Sequence, residues 1–120
     1  MTKEIDISEI ANYVKVLHCG IRWKIIEILQ EGSKSSDEIF KILKESNPSA
    51  DKNPEQCQGQ CKQDSYENLK KHSLYYHLRE LESVGIIELD TYKPSEENRA
   101  PEKVWKLNLD KLVINFIDII

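Results

Sequence analysis

The segment Ser73-Leu74-Tyr75-Tyr76-His77-Leu78-Arg79-Glu80-Leu81-Glu82-Ser83-Val84-Gly85-Ile86-Ile87 constrains the fold of this chain more than any other. At about 100° per residue, Leu74, Leu78 and Leu81 fall within a narrow arc, while His72, Tyr76, Arg79 and Ser83 gather on the opposite side. The pattern predicts a helix from Lys70 to Val84 that docks through its leucines and offers a polar face outward. Gly85 stops it, because glycine takes the left-handed conformation past a helix end without strain, and the β-branched pair Ile86-Ile87 then starts a strand.

The remaining apolar pattern supplies what the leucines dock against. Ile7, Ile10, Ala11, Val14 and Leu17 repeat at helical spacing and predict a first helix over 8–18. After Cys19-Gly20, the residues Ile21, Ile25, Ile26 and Leu29 define a second helix that ends at Gly32. Ser35-Ser36-Asp37-Glu38 reads as a capping box opening a third helix, with Ile39, Phe40, Ile42 and Leu43 at core positions. Ile86 to Tyr92 and Lys103 to Leu107 have strand character. The polar, proline-bounded run from Lys93 to Pro101 joins them as a hairpin over 86–107, with Trp105 as a packing residue inside its second strand. From Asp110, a capping residue, the chain ends in an apolar segment over 110–120. A terminal helix would leave Leu112, Val113, Phe116, Ile117 and Ile120 as a sticky face, whereas its β-branched residues also suit a strand. The expected fold is a single domain, mainly α with a small β-hairpin.

Charge narrows the function. The 120 residues carry a formal net charge of −4, which argues against nucleic-acid binding by bulk electrostatics. From Tyr66 to Arg79, however, the cations Lys70, Lys71 and Arg79 face only the anion Glu67, so any DNA binding must be local. No signal-peptide layout is present and no apolar run approaches the roughly 20 residues of a membrane helix, so a cytosolic protein is expected. No Ser/His/Asp order, paired-carboxylate layout or glycine-rich phosphate loop is present, and the expected role is not enzymatic.

The run Leu78-x-x-Leu81-x-x-x-Gly85-Ile86-Ile87, leading directly into a strand, resembles the winged helix-turn-helix regulators of the ArsR type over most of the chain. Asn68-Leu69-Lys70 stands where that family has a Gly-Leu-Ser turn, with Asn a tolerated left-handed residue and Leu69 the turn's buried one. Arg22 occupies the arginine position of the family's Pro-Thr-Arg-Leu-x-Ile-Leu segment, although its neighbours here are Gly20-Ile21 and Trp23-Lys24. A phosphate contact and a salt bridge or solvated contact are both open for it. Relatives pass from the third helix almost directly to the turn, whereas here Lys44 to Glu67 intervene. This inserted loop contacts a groove, gates access, carries a sensor, or is simply tolerated.

The resemblance implies a sequence-specific regulator of transcription that binds double-stranded DNA as a homodimer, a repressor rather than an activator. Its first and last helices would build the dimer through Ile10, Val14, Leu112, Val113, Phe116, Ile117 and Ile120. The helix over 70–84 would enter the major groove and the hairpin would serve as the wing, with half-sites about 34 Å apart. Lys70, Lys71 and Arg99 are then the phosphate anchors, His72, Ser73, Tyr76 and Arg79 approach base edges, and Lys93 and Lys103 meet phosphates or the minor groove. His77, nearer the apolar stripe, is expected as a partly buried imidazole. The acidic balance and the pair Tyr75-Tyr76 motivate a different class, a winged helix that binds protein.

Cys57-Gln58-Gly59-Gln60-Cys61 is the remaining constellation. Two thiolates at this spacing can serve zinc or another soft metal, but a closed zinc site needs about four ligands and no Cys or His partner lies nearby in sequence. A disulfide that staples the insertion and a pair of free thiols stay open beside a thiol or metal sensor. Cys19, at a helix boundary, reads as a small buried residue.

Overall fold

The computed structural model describes residues 1–46, 69–94 and 100–117, and among these the helical periodicity of the sequence becomes four α-helices. Helix α1 (Ile10–Leu17) follows a single 3-10 turn at Ile7–Glu9, and α2 (Gly20–Gln30), α3 (Ser36–Glu45) and α4 (Lys71–Ser83) complete the set. Ile21, Ile25 and Leu29 of α2, Ile39 and Leu43 of α3, and Leu74, Leu78 and Leu81 of α4 close on one another as the core, joined by Leu69 just ahead of α4. Burying a side chain of this kind is worth about 1.5–3 kcal/mol, so the three-helix cluster is what fixes the orientation of α4.

A chain reversal past α4 leads into the flanking strands. Past α4 the Ile86 N–H donates to Leu81 O and the Gly85 N–H to Glu82 O, the paired bonds of a Schellman motif, with Gly85 at φ 78°. Leu81 and Ile86 are both buried there, so the motif also closes an apolar contact. The strand β2 (Lys34–Ser35), β3 (Ile87–Lys93) and β4 (Glu102–Leu107) form an antiparallel sheet in the order β2-β4-β3, with Ile87 opposite Leu107 and Lys93 opposite Glu102. A register shift between Leu89 and Thr91 bends this hairpin. Trp105, in the middle strand, is buried as its place in the sequence suggested, and its Nε1–H donates to Ser36 Oγ at 3.0 Å.

The domain is therefore mixed α/β rather than mainly α, and the difference lies at the two ends of the chain. The segment expected as a terminal helix over 110–120 is instead the strand β5 (Lys111–Asn115), paired in parallel with β1 (Thr2–Asp6), Thr2 opposite Lys111 and Asp6 opposite Asn115. Asp110 does not cap a helix, since its N–H donates to Met1 O at the head of the pair. The run Leu112-Val113-Ile114 packs better on a pleated surface than around a helix. No dimer can then be built from a last helix as the sequence reading proposed. Its residues Leu112 and Val113 are half-buried within β5, Phe116 and Ile117 are exposed beyond it, and Ile120 lies outside the described residues.

Candidate nucleic-acid interface

The start of α3 sets the electrostatics of the surface beside α4. The Ser35 hydroxyl accepts from the Glu38 N–H and the Glu38 carboxylate accepts from the Ser35 N–H, so the capping box read from the sequence is complete. The bond from the Ser35 backbone holds the Glu38 carboxyl below its ordinary value. The Ser35 hydroxyl and the charge of Lys93 act in the same direction. Lys93 Nζ lies 3.6 Å from Glu38 Oε1 and Lys71 Nζ lies 3.3 Å from Asp37 Oδ1. Two of the expected phosphate ligands, Lys71 and Lys93, are thus each paired with an acid of the first turn of α3. The third acid in this group, Glu102, accepts from the Asp37 N–H at 2.6 Å.

Helix α4 buries a wider stripe than its leucines alone. Ser73 and His77, one turn apart on the flank of that stripe, are both buried, which withdraws Ser73 from any contact with base edges. The family resemblance implied Ser73 among the residues that approach base edges, with His72, Tyr76 and Arg79. The tertiary fold places it by angle, next to Leu74. Lys70, His72 and Arg79 are exposed as expected, and Tyr76 is 38% exposed. Its ring is partly held from behind by the guanidinium of Arg22, 5.4 Å from the ring centroid.

Arg22 itself takes neither of the roles left open for it. It is only 4% exposed, its Nε–H donates to His77 Nδ1 at 3.0 Å, and its Nη1 donates to the carbonyls of Lys15 and Val16. The guanidinium therefore ties the last turn of α1, the first turn of α2 and the middle of α4 into one polar joint within the core. An acceptor at Nδ1 requires the neutral ring with its proton on Nε2. Sequence reasoning anticipated a partly buried His77 but not its partner, for which the matching signal was an arginine one residue into the apolar run of α2.

Between α4, the start of α3 and the beginning of β4 lies a cleft of about 440 Å³. Tyr75, Leu78, Arg79, Pro101, Lys103 and Trp105 are among the residues that line it. Lys103 Nζ rests 5.7 Å from the Trp105 ring centroid, and among the described residues neither Arg79 nor Lys103 has a carboxylate partner. Of the cations expected to meet DNA, the fold thus leaves Lys70, Arg79 and Lys103 unpaired by acids among the described residues.

Arg99 and the pair Cys57 and Cys61 lie outside the described residues, as does the insertion from Asn47 onward, while its expected first residues Lys44 and Glu45 are the last turn of α3. Among the described residues no group of three or more His, Cys, Asp or Glu is placed to hold a metal ion, and no helix is long and apolar enough to cross a membrane. Cys19 is buried, consistent with a packing role. No protein-family model matches this chain, and no curated protein matches it significantly.

Proposed function

We propose that this chain is a cytosolic, homodimeric transcription regulator with a winged helix-turn-helix of the ArsR type, which binds double-stranded DNA and acts as a repressor. Helix α3 and α4 are the helix-turn-helix, α4 is the recognition helix, and the hairpin β3–β4 is the wing. The observation that carries this reading is the division of α4 into two faces, Leu74, Leu78 and Leu81 inward and Lys70, His72 and Arg79 outward, with Lys103 of the hairpin across the adjoining cleft. Lys70 and Lys103 meet phosphates, and His72, Tyr76 and Arg79 face base edges. The net charge of −4 and the pairing of Lys71 and Lys93 with acids keep nonspecific affinity low, which leaves discrimination to base contacts.

Selection of bound duplexes from a random pool tests the reading, with and without added zinc and reductant. Enrichment of a near-palindromic site with half-sites about one helical turn apart is the expected result. With Lys70 and Lys103 neutralising phosphates in each protomer, the salt dependence of a dimer should have a log–log slope of about −4. Absence of binding even at low salt overturns the proposal. A response to zinc or oxidant that disappears in a Cys57→Ser, Cys61→Ser variant would place a thiol sensor on the same scaffold.

A second reading has its own support, since Trp23, Tyr75, Tyr76 and Tyr92 are all exposed large aromatic side chains. Aromatics concentrate at protein interfaces. A winged helix that binds a protein partner is therefore the reading to adopt should duplex selection fail.

A further inference from the structure

The two-stranded sheet of β1 and β5 has an open edge along β5, and that edge is complementary to itself. We infer that two copies of the chain pair there, β5 against β5, antiparallel across a two-fold axis at Val113, to make one four-stranded sheet. The Asp110 N–H donates to Met1 O, so by the alternation of a strand the backbone groups of Leu112 and Ile114 face β1, and those of Lys111, Val113 and Asn115 face away from it. Among the described residues no backbone group meets them on that side. Such a row of unpaired donors and acceptors is a template for another strand.

The register follows from which groups and faces must match. Ile5 is buried and lies beside Ile114, so Ile5, Leu112 and Ile114 share the inner face of the sheet. With Val113 opposite its own counterpart, Lys111 comes opposite Asn115 and Leu112 opposite Ile114. Each of the outward residues Lys111, Val113 and Asn115 then exchanges both of its backbone bonds with the residue it meets. The apolar inner face also continues from one copy into the next.

Charge selects β5 over β1 for this role. Across a two-fold axis, every register of β1 that matches faces over at least three residues sets like charges opposite, Glu4 on Glu4, Lys3 on Lys3 or Glu4 on Asp6. Like charges directly opposite destabilise a strand pair. In β5 the sole charged residue is Lys111, and it meets the neutral Asn115. The assembly closes after two copies, because the edges that remain are the charged ones of β1. The pairing rests on the homodimer of the proposed function and not on its DNA contacts.

Amide hydrogen exchange of the full-length protein over a concentration series, alongside sedimentation, tests the edge without DNA. The Leu112 and Ile114 amides should be protected throughout, whereas those of Lys111, Val113 and Asn115 should slow by roughly tenfold or more only where the chain sediments as a dimer. Asn115→Lys sets lysines opposite each other at both ends of the pair and should weaken dimerisation roughly threefold to tenfold, and adding Lys111→Glu should restore it. Val113→Pro removes a donor that β1 does not use, so the protomer should keep its strands and lose the dimer. Fast exchange of the three outward amides in a dimer, protection of them that does not depend on concentration, a monomer at millimolar concentration, or an Asn115→Lys variant that dimerises like the parent overturns the pairing. A dimer with the protected edge that selects no duplex would keep the pairing and remove the DNA reading, and duplex selection by a chain whose β5 edge stays open would do the reverse.

Discussion

Arg22 keeps a permanent charge inside the core, which is tolerable because it donates to three acceptors, two carbonyls and the Nδ1 of His77, and its guanidinium lies over the Tyr76 ring. Removing the imidazole leaves the Nε–H buried and unsatisfied. His77→Ala should therefore cost about 1–3 kcal/mol beyond its cavity. Replacing both groups by apolar side chains of similar size, Arg22→Met with His77→Leu, should cost less than the two single changes added together, because no donor is then stranded. Urea unfolding of the four proteins of that cycle measures the coupling, and strict additivity would show that the pair does not act as a unit. On the surface, Asp37 bears on the proposed DNA contact. It holds Lys71 at 3.3 Å and places a negative charge beside the outward face of α4. Asp37→Asn should raise duplex affinity several-fold and steepen its salt dependence by about one phosphate per protomer. It should also weaken α3 by about 0.3–1 kcal/mol, through loss of an acid in the first turn. Fluorescence anisotropy across a salt series separates the two effects, and unchanged affinity would mean that Lys71 takes no part.

Helix α3 starts where it does because Ser35 and Glu38 satisfy each other's backbone donors, and that start carries a pH dependence of defined sign. The folded state holds the Glu38 carboxyl below its ordinary value, so between the two values the unfolded chain binds the extra proton. The contribution is complete above the ordinary glutamate value and is lost as pH falls through the lower, folded one. In urea unfolding between pH 6 and pH 3, Glu38→Gln should show a shallower loss of stability than the parent protein, since an amide still accepts the bond but does not titrate. Parallel curves would exclude Glu38 from the acid sensitivity. This capping box, the Gly85 stop and the leucine stripe of α4 were legible in the sequence because each is local: spacing within about one turn decides it. The hairpin was legible for the same reason, from two strand-like runs and a polar, proline-bounded connection. What stayed hidden needs a distant partner. In Thr2-Lys3-Glu4-Ile5-Asp6 the sole large apolar residue is Ile5, and its strand exists because Lys111 to Asn115 lie beside it. Without that partner, Leu112, Val113, Phe116, Ile117 and Ile120 read as a helix face, with a strand open beside it. The candidate site divides in the same way. Exposure of His72 and Arg79 followed from helix angle alone, whereas the pairing of Lys71 and Lys93 with acids of α3 depends on how two helices and a hairpin meet.

At the scale of the molecule, the pair β1–β5 sits apart from the main core: Ile5 is buried, but neither it nor Leu112, Val113 and Ile114 joins the cluster around α2 and α4. A two-stranded sheet is marginal in water, and parallel strands are ordinarily covered on both faces. Close by in the chain, Ile7, Ile10 and Val14 lie about one turn apart along the start of the helical segment, with Ile7 and Val14 more than half exposed, and Phe116 and Ile117 extend β5 as exposed apolar residues. A second copy of the chain offers these surfaces a partner of the same character, and a two-fold axis would let each α1 cover the other. The proposed dimer interface would then use the first helix, with the terminal strand in place of the expected terminal helix. Val14→Asp puts a charge at the centre of that contact and, at 57% exposure, should leave the protomer folded. Sedimentation equilibrium at micromolar concentration should give twice 14.0 kDa for the parent protein and 14.0 kDa for the variant. Because a dimer engages its two half-sites together, the variant should also lose about two orders of magnitude or more in duplex affinity while its affinity for a single half-site stays unchanged. A parent protein that sediments as a monomer would remove the dimer, and a variant that remains dimeric would move the interface away from α1.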